Sequence, residues 1–247
     1  MENMETLEKR DKNSQNEEEE AAVWSFSTAL FGLVAAFGLS MLLSQNIYLL
    51  LPHLPEAVYL FLGALVQCAV FIALPYTIAD SEAKGRGFAR LGLCEPPALR
   101  IFGRALVWGL GCYILTVCIN VIVVTFFVRE PQMQEILQSL SAAPLPWQQI
   151  LLVFAIVVLA PLGEEILFRG FLYRACAARF GPFWGMALSG LLFGAAHLEW
   201  QVFPAFAVLG MVLAYLYRKS GNLWLCIATH AVFNAIGVVL LFSSQYF

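Results

Sequence analysis

Long apolar runs follow one another along almost the whole chain, near residues 21–43, 57–79, 102–128, 148–167, 183–198, 203–217 and 222–242. A helix needs about 20 apolar residues to cross a hydrocarbon core roughly 30 Å thick. Inside lipid each backbone N–H and C=O must find its partner within the segment, so runs of this length are read as helices. The sequence therefore predicts an all-α, polytopic integral membrane protein with about seven transmembrane helices. The fifth and sixth runs are short. At about 1.5 Å per residue, a 16-residue run reaches only about 24 Å. Either the bilayer thins there or the turn at Glu199-Trp200-Gln201 stays inside the protein.

Composition excludes the soluble alternative. Hydrophobic residues make up 60% of the chain and charged residues 13%, against about 45–50% and about 25% in soluble domains. The net charge of −3 is set by one end, since 8 of the 17 acids lie in residues 1–20. That segment, ending in Glu17-Glu18-Glu19-Glu20, reads as an acidic, disordered cytoplasmic tail ahead of a single membrane domain over 21–247. The run from Ala21 to Leu43 is too long for a signal-peptide core, and no small-residue cleavage site comes after it, which predicts a retained first helix. The C-terminal Ser-Ser-Gln-Tyr-Phe carries no prenylation box. No basic cluster suited to nucleic acid is present. The six cysteines form no CxxC pair and read as small packing residues.

The Lys and Arg residues set the expected orientation. With the N-terminus in the cytoplasm, all but Arg129 of the 14 fall in cytoplasmic segments, Arg169, Arg174 and Arg179 among them. Seven crossings then put the C-terminus on the far side. A cell membrane, the inner membrane of a bacterium, is the expected location.

Ionisable residues inside membrane segments are costly, at about 2.5–3.5 kcal/mol each near a helix centre, and so mark function. The first three runs carry almost none, which makes residues 21–130 scaffold and puts function in 148–242. His53, between Pro52 and Pro55, reads as loop packing. Three short patterns remain. In Pro161-Leu-Gly-Glu-Glu-Ile-Leu-Phe-Arg-Gly170, Glu165 and Arg169 are i,i+4 and can pair. Glu164 points about 100° away and lacks a local partner, as a general base would. In Phe193-Gly-Ala-Ala-His197, small residues let a second helix approach the histidine. In His230-Ala-Val-Phe-Asn234, two side chains share a face and suit an oxyanion or carbonyl.

Taken singly, each pattern also fits a blander role: an interfacial charge cluster, a packed histidine, an interhelical hydrogen bond. Together they bring a base or donor from three separate helices. No HExxH helix, GxSxG elbow or P-loop is present. A carboxylate, two imidazoles and an amide suit hydrolysis by activated water. Glu164, His197 and His230 are also a possible zinc set, so direct and metal activation both stay open. A proton or ion transporter and a non-catalytic immunity or scaffold protein are the competing readings.

The order Glu164-Glu165-x-x-x-Arg169, Phe193-x-x-x-His197, His230-x-x-x-Asn234 resembles the three motifs of the CPBP family, the type II CAAX prenyl protease-like intramembrane endopeptidases, whose bacterial members include Abi and bacteriocin-immunity proteins. The likeness covers about residues 148–242. Upstream, Arg90-Leu-Gly-Leu-Cys-Glu-Pro-Pro97 is similar to a phrase common in the family. The resemblance implies a helical membrane protease with a conical catalytic cavity open to the cytoplasm and the bilayer. Glu164 and His197 would activate water, His230 and Asn234 would stabilise the oxyanion, and Glu165 and Arg169 would brace the motif helix. The partners implied are the lipid bilayer and a peptide or membrane-protein substrate, lipidated or not. One difficulty arises from depth. Counted from the cytoplasmic face, His230 lies about 14 Å deep and His197 about 21 Å, with Glu164 near the inner edge. The helices must therefore tilt, shift or break to unite them.

Overall fold

A computed structural model gives the fold and describes residues 24–83, 86–93, 99–128 and 133–244. The acidic segment 1–20, with its expected disorder, lies outside them, as do Cys94 and Arg129. The described residues form helices and no strand. Their main rods are α1 (Phe26–Leu50), α2 (Glu56–Ala83), α3 (Leu99–Phe127), α4 (Pro146–Phe180), α5 (Pro182–Ala196), α6 (Phe203–Ser220) and α7 (Leu223–Ser244). Two short helices, Gly87–Arg90 and Glu135–Ala142, lie in the connections. Every apolar run thus becomes a helix. Five of them, α1 to α4 and α7, are long and apolar enough to cross a membrane, and α5 is a shorter apolar helix. The protein is an integral membrane protein.

The N-terminus of α1 is capped by Ser25, whose Oγ accepts from the Thr28 N–H. Its buried stripe is Ala29, Gly32, Leu33, Ala36 and Ser40, at helical spacing. Opposite faces carry exposed Phe31, Met41 and Leu42, as a lipid-facing helix should. Trp24 stacks on Phe171 at 5.0 Å and donates its indole N–H to the Phe171 carbonyl, which fastens α1 to α4.

The central element is α4, and it departs from expectation. The fourth run predicted a helix ending near residue 167, but the helix continues for 35 residues to Phe180. Arg169 does not end it, because it is fully buried and paired within the core rather than set in a cytoplasmic loop. That corrects its place in the orientation argument. Glu164 accordingly sits midway along a rod about 52 Å long and not near its end. Within α4, Ala155–Leu159 and Ile166–Tyr173 are π-helical. Each wider turn rotates the next stretch of helix about its axis, and π turns gather at functional sites. All eight residues of the second π segment are buried.

Helices α5 and α6 form a tight antiparallel hairpin. A Cβ on Gly190 would lie 2.6 Å from the Ala207 carbonyl oxygen, and one on Gly210 would lie 2.8 Å from the Gly190 Cα. The backbones therefore touch, as small residues permit in lipid. The turn between the two helices holds Leu198 at φ 56.

Candidate active site

Glu164 and Glu165 are consecutive on α4 between the two π segments, and the structure gives them different surroundings. Glu165 is fully buried. Its Oε1 accepts from Arg169 Nη1 at 2.8 Å and from His230 Nδ1 at 2.8 Å. Arg169 reaches on to the Gly210 carbonyl at 3.3 Å and lies over the Phe193 ring at 4.3 Å. The phenylalanine of the second motif is thus a cation–π lid on the buried arginine. One carboxylate oxygen thereby ties α4 to α7, while the arginine ties α4 to α5 and α6. The expected Glu165–Arg169 pair is present, and His230 joins it.

Glu164 points elsewhere. Its Oε2 lies 3.9 Å from His230 Nε2, just beyond hydrogen-bond reach. Its carboxylate also lines a cavity of about 210 Å³ that His197 lines as well. Phe37 of α1, Gln67 and Phe71 of α2, and Phe168 complete most of the wall. So Glu164 and His197 share one chamber, whereas His230 approaches Glu164 from the Glu165 side.

His197 closes the C-terminus of α5. Its Nδ1 lies 2.9 Å from the Phe193 carbonyl. A carbonyl only accepts, so Nδ1 carries a proton and Nε2 of the neutral ring is left as an acceptor. Phe193 and Phe206 flank the ring, at 5.0 and 4.5 Å between centroids. The orienting bond and the aromatic walls fix an imidazole whose free nitrogen can take part in proton transfer.

Asn234 sits one turn beyond His230 on α7. Its Nδ2 donates to the Ile156 carbonyl at 2.7 Å, inside the first π segment. A primary amide has two N–H groups, so one remains. In the turn after His197, burial pushes the Glu199 carboxyl above its ordinary range; His197 opposes the shift and Glu135 adds to it. Among the described residues no three His, Cys, Asp or Glu side chains gather as a metal site. The set Glu164, His197 and His230 does not meet that requirement, and no catalytic step is assigned to a metal.

One feature of the site escapes the sequence reading. The presumed scaffold supplies much of the cavity, through Phe37, Gln67 and Phe71. The signal for Gln67 is there, since it is the one side-chain amide between Glu56 and Asp80 in an otherwise apolar stretch.

Comparison with known proteins finds matches in the same part of the chain. Residues 146–236, from the start of α4 to just past Asn234, match the family model for Rce1-like type II CAAX prenyl endopeptidases. The chain is 28% identical over 107 residues to a Bacillus subtilis (strain 168) protein named "Putative membrane peptidase YdiL", covering 43% of this chain and 41% of that one. It is 34% identical over 95 residues to an Escherichia coli protein named "Uncharacterized 24.3 kDa protein", covering 36% of this chain and 44% of that one. The matched stretch thus spans less than half of each relative. No solved structure matches the chain. The stretch matched by the family model holds Glu164, Glu165, Arg169, His197, His230 and Asn234 and leaves out α1 to α3.

Proposed function

We propose that this protein is an intramembrane endopeptidase that hydrolyses a peptide bond with water activated by Glu164 and His197. The observation that carries the reading is the shared cavity: a carboxylate free of the neighbouring arginine and an oriented imidazole line one chamber inside a membrane protein. Glu164 takes a proton from the water while His197 Nε2 holds it in place. The hydroxide oxygen bonds to the scissile carbonyl carbon, and negative charge moves onto the carbonyl oxygen. The C–N bond then breaks, and the proton held by Glu164 passes to the departing amine. His230 donates Nδ1–H to Glu165 and, as the imidazolium, has Nε2–H left for the oxyanion, which the second N–H of Asn234 also stabilises. Substrates are peptides or membrane proteins, with a lipidated CAAX-type C-terminus as the first class to try.

The cytoplasmic N-terminus and inner-membrane location belong to the same reading. A reporter inserted in the α1–α2 turn at His53 should register on the non-cytoplasmic side. A cytoplasmic signal there would reverse the orientation.

The test of activity is cleavage of internally quenched peptides, farnesylated and unmodified, by the purified protein in detergent. The parent should release a fragment, and Asn234→Ala should slow kcat by about 10²–10³, the usual cost of one oxyanion donor. Some loss of thermal stability should accompany it, because the Ile156 carbonyl loses its donor. A parent that leaves every peptide intact would overturn the endopeptidase reading. A fully active Asn234→Ala protein would remove the oxyanion role alone.

A further inference from the structure

Gln67 has no place in the three motifs, yet it stands on the wall of the same cavity as Glu164 and His197. It comes from the middle of α2, an apolar membrane helix where a side-chain amide is expensive without a partner. The usual reason for such a residue is an interhelical hydrogen bond. Gln67 makes none with the described residues, and it is half-buried rather than lipid-facing.

Its placement is fixed by a close helix crossing. A Cβ on Gly163 would lie 3.0 Å from the Cys68 Cα, so α4 and α2 meet backbone to backbone at these two residues. Gln67 and Glu164 are the immediate neighbours of that contact, and both project into the chamber. Phe37, Phe71 and Phe168 supply apolar wall around them. A peptide entering here leaves water, and its backbone N–H and C=O groups must be satisfied by the protein. A carboxamide offers both a donor and an acceptor in the geometry of a peptide group. Asn234, with one donor given to Ile156, has a single N–H left, which the oxyanion takes, so the flanking peptide groups need another partner.

We infer that Gln67 is a substrate-binding residue whose carboxamide grips the peptide backbone beside the bond that Glu164 attacks. The inference rests on the endopeptidase reading. It makes α2 part of the substrate site and not only a scaffold.

The experiment measures binding without turnover. Glu164→Gln protein in detergent is titrated with a fluorescent farnesylated CAAX heptapeptide and its unmodified counterpart, read by anisotropy. Adding Gln67→Met, which keeps length and removes hydrogen bonding, should raise Kd about 10-fold. Gln67→Asn keeps the amide and should bind between the two. The melting temperature of the Gln67→Met protein should not fall, because an unpaired amide has been replaced by an apolar chain. In the otherwise unaltered protein, Gln67→Met should raise KM by a similar factor and change kcat little. An unchanged Kd, or a melting temperature lowered by several degrees, overturns the inference; the latter would make Gln67 interhelical glue. Failure to bind either peptide overturns it too. If the parent cleaves nothing while Gln67→Met still weakens binding, the endopeptidase reading fails and the backbone grip stands.

Discussion

Replacing Glu164 by Gln is expected to abolish cleavage while leaving the protein folded. The substitution keeps the shape and removes the one carboxylate among the residues described on the cavity wall. General-base catalysis contributes about 10²–10⁴ in rate, and activity should fall by at least that much. The melting temperature in detergent should change little. Glu164 has no hydrogen bond to a fixed partner, its contact with His230 Nε2 being 3.9 Å, and its side chain is 18% exposed. Single-turnover cleavage and thermal melting of the same preparation check both halves. Substantial residual cleavage would sink the role of base.

The adjacent residue should behave in the opposite order. Glu165→Gln removes the negative charge that Arg169 Nη1 and His230 Nδ1 both contact at 2.8 Å, in a place where Glu165 and Arg169 are fully buried. Breaking one partner of a buried pair typically costs about 3–5 kcal/mol, because the remaining charge is left uncompensated. For a chain of this size the melting temperature should drop by roughly 10 °C. Activity should also fall, since His230 exchanges a charged acceptor for a neutral one and the tie of α4 to α7 weakens. Restoring the carboxylate charge with Glu165→Asp should recover part of the stability. If Glu164→Gln and Glu165→Gln match in both assays, the division into base and strut is wrong. The contrast is informative because the two residues are chemically identical neighbours. Only the 100° step between consecutive helical positions separates the chamber from the core.

The two results bear on the competing readings as well. A non-catalytic scaffold needs Glu165 and Arg169 but has no use for Glu164. A proton path would need carboxylates and imidazoles to connect two faces of the molecule. Here the charged groups converge instead: Arg169, Glu165 and His230 in one chain of contacts, with Glu164 at its end.

Several features are determined by the sequence alone. The apolar runs determine helices, because lipid leaves the backbone no other partner than itself. The i,i+4 spacing determines the Glu165–Arg169 pair. Motif order and spacing mark Glu164, His197 and His230 as the groups to watch. Each of these is local, since the physics acts over one or two turns of one helix.

The tertiary structure decided everything that depends on which helix lies beside which. The apolar run that stops at 167 continues as helix to Phe180, because Arg169 is neutralised by Glu165 on its own helix, meets Phe193 of α5 and the Gly210 carbonyl of α6, and need not reach water. The contact of His230 with the same carboxylate could not be read along the chain, since His230 is 65 residues from Glu165. The sharing of His230 between the two glutamates, the tie from Asn234 to a π-helical carbonyl, and the chamber wall built by α1 and α2 have the same origin. Backbone contact at Gly163–Cys68 brings Gln67 beside Glu164. A sequence records the cost of an amide in an apolar helix, but only the packing of a second helix shows what that amide faces.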